Sequence, residues 1–140
     1  MKAIMKLFVA AFIMLMSFPF DANAQLRFSE HGEEHGLKIE QRWRRSKLFQ
    51  KDSDAMLVLK ITNTNDYAVN INIAVGFYND GILTFISEEQ NVCFETGQTK
   101  KGGPANLRFV AEEITLADTK AEGFSWDFAK IEVAKVEGCE

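Results

Sequence analysis

A strict two-residue alternation in the middle of the chain constrains the fold more than any other sequence feature. Apolar side chains occupy every second position of one run: Val69, Ile71, Ile73, Val75 and Phe77. A β-strand places alternate residues on one face, whereas a helix would scatter these five around its circumference. Asn79-Asp80-Gly81 follows directly, and an Asp-Gly pair favours the positive φ angles of a tight hairpin turn. The pattern therefore predicts a strand that turns back into a second strand at 82–87.

Weaker alternation elsewhere predicts further short strands, at 37–44, 56–62, 91–95 and 107–111. Residues 45–54 form a charged connection, with a strand end expected near Leu48-Phe49. From 124 to 128 aromatic residues alternate, as is typical of a sandwich core, and the apolar positions then change phase. A shift of one residue predicts a β-bulge at Ala129-Lys130, or a short break between two strands. About seven short strands without an amphipathic helix indicate an antiparallel sandwich or barrel.

Two stretches of the chain, Val58 to Asp66 and Val75 to Gly81, match a recurring pattern. The order is a strand, an Asn-x-Asn turn, a strand, and then aromatic-Tyr-x-Asp-Gly. The segment resembles exported bacterial immunoglobulin-like sandwiches, including FxLYD-type domains, over about 25 residues. The resemblance implies an all-β, antiparallel immunoglobulin-like β-sandwich of about seven strands, here spanning 37–140. The inter-sheet disulfide and tyrosine corner of antibody domains do not transfer, because no Tyr stands two residues before Cys139.

Residues 1–24 have the features of a cleaved export signal. Lys2 and Lys6 flank the start of an apolar run at 7–16, and Ala22-Asn23-Ala24 fits the cleavage pattern. The run is shorter than the roughly 20 apolar residues that span a bilayer. Cleavage after Ala24 leaves 116 of the 140 residues, which suits one domain. We expect a periplasmic or secreted bacterial protein, with no transmembrane segment after cleavage.

Two cysteines, Cys93 and Cys139, lie in the exported part of the chain. In an oxidising compartment an even pair most simply forms a disulfide. The bridge would pin a C-terminus that otherwise frays. The alternative is two unrelated free thiols.

The charge balance limits the classes of partner. The leader contains two lysines and one aspartate, so the mature chain holds 14 basic and 19 acidic side chains, a formal charge of −5. Nucleic acid demands a basic footprint, so no nucleic-acid partner is expected. The same balance argues against binding to an anionic membrane surface.

Two histidines, His31 and His35, lie in a polar acidic segment at 25–36, interpreted as a flexible N-terminal arm. On a helix, positions four apart share a face, so two imidazoles and a neighbouring carboxylate could chelate a metal. Gly32 and Gly36 weaken such a helix. A solvated acidic arm is the alternative, and no cofactor is expected.

Basic residues concentrate in two places that could bind a ligand. Arg42 and Arg44 would share one face of the first strand, where guanidinium groups could pair with carboxylate or phosphate. They could equally be paired internally with Glu or Asp. Lys100 and Lys101 lie in a glycine-containing segment at 96–105, interpreted as a mobile surface loop able to serve recognition.

No nucleophile–base arrangement, zinc spacing or phosphate loop is recognisable, so the chain is not expected to be an enzyme. The leading hypothesis is a monomeric, non-catalytic interaction module that contacts an envelope protein or glycan. One alternative is a small enzyme inhibitor or enzyme acting through the 96–105 loop. Another is a metal-binding envelope protein that uses the His31–His35 pair.

Overall fold

Two antiparallel sheets pack face to face in the computed structural model, which describes residues 27–140. The predicted export signal lies outside the described residues. Within 27–140 there are nine strands, and two short 3-10 turns lie at 103–105 and 118–120. The strands are β1 (Ser29–Glu34), β2 (Leu37–Arg45), β3 (Asp54–Asn63), β4 (Ala68–Asn79), β5 (Ile82–Ile86), β6 (Gln90–Phe94), β7 (Thr99–Lys101), β8 (Arg108–Thr115) and β9 (Phe124–Val136). An all-β antiparallel sandwich is therefore confirmed.

Each sheet contains a long inner strand. Two shorter strands pair with one edge of that inner strand, one after the other. In sheet A the order is β1-β2-β3, and the far edge of β3 pairs first with β8 and then with β7. In sheet B, β4 pairs along its whole length with β9. The other edge of β4 pairs first with β6 and then with β5.

The core lies between the sheets and is built from the alternation seen in the sequence. All five alternating apolar residues of β4 are fully buried. They face a second apolar layer from sheet A: Leu37, Ile39, Leu57, Leu59 and Ile61. The residues that alternate with these two layers point outward and define the two outer faces of the sandwich.

The phase change in the last strand is a β-bulge, as the sequence predicts. Ala74 pairs with Lys130 and Val75 pairs with Phe128, which leaves Ala129 as the extra residue. The bulge keeps β9 continuous while its apolar side chains stay on the core side. Trp126 is 8% exposed, so this aromatic run belongs to the core rather than to an exposed platform.

The N-terminal segment is a strand, so the prediction of a flexible arm at 25–36 is wrong for residues 29–34. β1 pairs with β2 from Ser29 to Glu34, with a bulge between Glu30 and Gly32. Its side chains are mostly polar because almost all of them are exposed to solvent. Main-chain hydrogen bonds to β2 form it without an apolar alternation to reveal it.

The segment at 96–105 is also more ordered than a loop. Thr99–Lys101 forms β7 against β3, so the prediction of an unbroken mobile loop is wrong for these residues. The two polar edge strands, β1 and β7, account for nine strands where about seven were expected. Leu48 and Phe49, expected near a strand end, instead lie in the β2–β3 connection.

A disulfide joins Cys93 to Cys139, as predicted, and closes a sequence separation of 46 residues. Cys93 lies on β6, and Cys139 lies in the tail after β9. The two strands flank β4 on opposite edges, so the bridge fixes the tail across the end of sheet B. The main-chain N–H of Cys139 also donates a hydrogen bond of 2.7 Å to Glu95 Oε1.

Candidate binding face

The outer face of sheet A gathers basic side chains that are far apart in the sequence. Directly paired residues point to the same side of a sheet, so the strand register defines this surface. We call it the basic face, and its six cations are Lys38, Arg42, Arg44, Lys60, Lys101 and Arg108. The chain as a whole is acidic, with a formal charge of −4, so this concentration is a local property of one face.

The arginines occupy one end of the basic face, in two rows that run across the strands. The first row is Arg42, Val58 and Arg108. The second row is Arg44, Met56 and Val110. Neighbouring strands lie about 4.8 Å apart, so the backbones of Arg42 and Arg108 are roughly 10 Å apart. Both guanidinium groups can therefore reach one multivalent acidic ligand.

The arginines flank an apolar residue that is buried on an outer face. Val58 is only 2% exposed, although it points away from the core. The turn at 102–103 covers part of it, since a Cβ on Gly102 would lie 3.6 Å from Val58 Cγ1. A Cβ on Gly103 would lie 2.7 Å from Arg108 Cζ. The guanidinium of Arg108 is thus packed against the backbone of this turn, which fixes its position on the face.

Arg44 and Arg108 repel the charge of Arg42. Burial of its side chain, followed by the charges of Arg44 and Arg108, holds the pKa of Arg42 below its ordinary value. An arginine stays protonated at physiological pH, so the lowered pKa measures an unfavourable environment for its charge. An anion bound between the arginines would relieve this repulsion. Arg42 also lies over the Phe28 ring, with Cζ 4.4 Å from the ring centroid.

The opposite end of the basic face carries carboxylates among its lysines. Lys60 Nζ lies 3.3 Å from Glu40 Oε2. Glu33 is paired in register with Lys38. Among residues 27–140, neither Arg44 nor Arg108 takes part in an ion pair. Arg44 and Arg108 therefore keep positive charge at the arginine end of the face.

Three of the four predicted binding residues share this surface. Arg42 and Arg44 lie on β2 as expected, and Lys101 is paired with Lys60 on the same side. Lys100 lies on the opposite side of β7, with Nζ 5.7 Å from the centroid of the Phe94 ring. Lys100 and Lys101, both named as candidate binding residues, therefore lie on opposite sides of β7.

Three cations of the basic face were not among the predicted binding residues: Lys38, Lys60 and Arg108. Arg108 alternates with the core residues Leu107 and Phe109, which is a signal that it points outward. Its position beside Arg42 depends on the pairing of β3 with β8. The sequence carries no direct signal for that pairing.

The two predicted metal ligands lie at different places on the β1–β2 hairpin. His31 is the extra residue at the β1 bulge, and its ring stacks on Trp126 with centroids 4.0 Å apart. His35 lies in the β1–β2 turn with φ 52°, and its Nε2 is 3.5 Å from Glu34 Oε1. The helical spacing on which the chelation hypothesis depends is absent, so the structure does not bring the pair together. Residues 27–140 contain no group of three or more His, Cys, Asp or Glu placed to hold a metal.

Replacing His31 with alanine is expected to lower the free energy of unfolding by about 0.5–1.5 kcal/mol, the usual value of an aromatic pair. His31 covers Trp126 where β1 of sheet A approaches β9 of sheet B. Urea unfolding of the variant measures the loss. His31→Phe, which keeps the stacking but not the imidazole, should retain wild-type stability. Equal losses in both variants would contradict a packing role.

No helix within residues 27–140 has the length and apolar character required to cross a bilayer. In comparisons with known proteins, no family model, curated protein or solved structure matches the chain. The resemblance to exported immunoglobulin-like domains therefore remains a prediction.

Proposed function

We propose that the protein is an exported, non-catalytic interaction module of the bacterial envelope, and that the basic face is its binding surface. The observation that carries the proposal is the convergence of three arginines on one end of this face. The expected partner is an envelope protein or glycan that presents several carboxylate or phosphate groups. Arginine suits such groups because its planar fork can donate two parallel hydrogen bonds.

The geometry of the face supports a binding function for the sandwich. Met56 and Val110 lie beside the arginines, so an acidic ligand would meet apolar contacts next to the charges. The basic face lies on hydrogen-bonded strands of sheet A, and the turn at 102–103 packs against the Arg108 guanidinium. A surface of this kind loses little conformational entropy when it binds, which favours affinity.

The leader at 1–24 and the disulfide support the exported location. Disulfides persist in oxidising compartments such as the periplasm. Cys93 and Cys139 are the two cysteines of the chain and form one bridge. An interaction module in that compartment would meet acidic glycans and acidic protein surfaces. We expect the protein to act there as a monomer.

The test is a pull-down from cross-linked envelope fractions with oxidised protein as bait. Wild type is compared with Arg44→Gln/Arg108→Gln, which removes two charges that lie in no ion pair among residues 27–140. A charge-assisted hydrogen bond contributes about 1.5 kcal/mol or more, so the double variant should bind on the order of 100-fold more weakly. The two substitutions lie on the surface and should leave the free energy of unfolding nearly unchanged.

The matched control is Lys120→Gln/Lys135→Gln, which removes the same charge from exposed positions outside the basic face. This bait should recover the same partner as wild type. A partner recovered equally by all three baits would exclude the basic face as its binding surface. Acidic glycans on an array, probed with the same proteins, distinguish a glycan partner from a protein partner.

A further inference from the structure

The connection between β2 and β3 presents two apolar side chains to solvent. We call residues 46–53 the tip loop. Phe49 is 99% exposed and Leu48 is 70% exposed, and no other large apolar residue within 27–140 is as exposed as Phe49. Scattered single apolar residues are common on protein surfaces. Two adjacent ones at the end of a hairpin form a projecting apolar point.

The backbone of the tip loop holds these side chains outward. Gln50 N–H donates to Lys47 O over 3.2 Å, which makes Leu48 and Phe49 the central residues of a β-turn. A second turn follows, in which Ser53 N–H donates to Gln50 O over 3.2 Å. The buried Ser53 hydroxyl donates to Lys47 O and accepts from Lys47 N–H. The exposure of the two side chains is therefore a property of an ordered, hydrogen-bonded loop.

Two lysines flank the apolar point. Lys47 precedes it and Lys51 follows it in sequence, and both are exposed. Asp52 is the carboxylate within the loop, and Asp54 Oδ1 at its base accepts a hydrogen bond from Glu113 N–H. The tip loop at 46–53 thus carries a local charge of +1, opposite in sign to the whole chain. The negative net charge of the chain predicts weak attraction to an anionic surface, but the tip loop itself is positively charged.

We propose that the tip loop docks on an anionic phospholipid bilayer, with Leu48 and Phe49 inserted at the level of the headgroups and Lys47 and Lys51 against lipid phosphates. This combination of a few apolar side chains and flanking cations is what interfacial membrane binding requires. A protein partner is a poorer fit. Stable protein interfaces bury about 1,200–2,000 Å² in total, and polar residues surround the two side chains. The inference concerns a different surface from the basic face and goes beyond the proposed function.

Co-sedimentation with vesicles tests the proposal. Protein purified after export is mixed with vesicles of phosphatidylcholine alone, or of phosphatidylcholine with phosphatidylglycerol. Wild type should bind the mixed vesicles and bind the neutral vesicles several-fold less. Leu48→Ser/Phe49→Ser should lower the partition coefficient between vesicles and water by on the order of tenfold or more. The variant lacks the two apolar side chains whose transfer from water into the bilayer favours binding. Lys47→Gln/Lys51→Gln should lower it about fivefold for each lysine removed.

The matched control is Ile82→Ser/Ile86→Ser on β5, whose side chains are 70% and 50% exposed. It removes the same number of exposed apolar residues and should bind like wild type. Phe49→Trp, which replaces the phenyl ring with an amphipathic indole ring, should also retain binding. Wild-type protein that fails to sediment with the mixed vesicles overturns the proposal. A control variant that loses as much binding as Leu48→Ser/Phe49→Ser overturns it as well.

Partner binding through the basic face and vesicle binding through the tip loop can be tested independently of each other. The Arg44→Gln/Arg108→Gln variant keeps the tip loop intact and should bind vesicles as wild type does. The Leu48→Ser/Phe49→Ser variant keeps the basic face intact and should recover the same envelope partner.

Discussion

Replacing Phe77 with alanine is expected to lower the free energy of unfolding by about 3–5 kcal/mol. Phe77 is fully buried on β4. Its ring centroid lies 5.9 Å from that of Trp43, 6.1 Å from Phe85 and 6.4 Å from Phe124. The substitution removes a side chain that contacts both sheets, and the rigid strands on each side prevent the cavity from closing. A typical domain is stable by about 5–15 kcal/mol, so the variant should be close to unfolding.

Urea unfolding, followed by fluorescence and by circular dichroism, measures this loss. The control is Phe49→Ala, which removes the same side chain from a position that is 99% exposed. It should change the free energy of unfolding by less than about 0.5 kcal/mol. Similar losses in the two variants would contradict the placement of Phe77 at the centre of the core.

Removing the disulfide is the second large expected effect. Cys93→Ser/Cys139→Ser should lose about 4 kcal/mol of stability, because a bridge that closes 46 residues restricts the unfolded chain. The tail after β9 would also be released from β6. Guanidinium unfolding of the double variant, and of wild type with and without reductant, measures the loss.

Single and double cysteine variants should lose similar stability, since either one breaks the bridge. Alkylation of wild type without reductant should label neither cysteine. Unchanged stability in the presence of reductant, with both thiols then labelled, would show that the bridge does not stabilise the fold.

The strands that bury one face could be predicted from the sequence, and the two polar strands, β1 and β7, could not. In β4 the burial of alternate side chains imposes a period of two on residue type. β1 and β7 are held by main-chain hydrogen bonds at sheet edges, so their side chains are free to be polar. The bulge at Ala129 was predictable because it moves the apolar residues to the other phase.

The candidate site was predictable only in part, since sequence shows which side of a strand a residue occupies but not which strand lies beside it. Arg42 and Arg44 were identified from the alternation of β2 alone. Arg108 joins them through the pairing of Val58 with both strands. The overall charge of −4 also concealed the basic face, because a sum over the chain contains no information about position.

The turn at 102–103 offers a finer test of the same surface. Gly103→Ala should displace the Arg108 guanidinium, because the new Cβ would lie only 2.7 Å from Arg108 Cζ. The side chain is flexible at that end, so stability should change little while partner binding weakens.

Site-specific photo-crosslinking in living cells tests the central claim most directly. A benzophenone amino acid replaces Val110, beside the arginines on the basic face, or Asn91, exposed on the outer face of sheet B. The account predicts a discrete adduct from position 110 that disappears when Arg44→Gln/Arg108→Gln is added, and none from position 91. Equal adducts from both positions, or an adduct at 110 that persists without the two arginines, would contradict binding through the basic face.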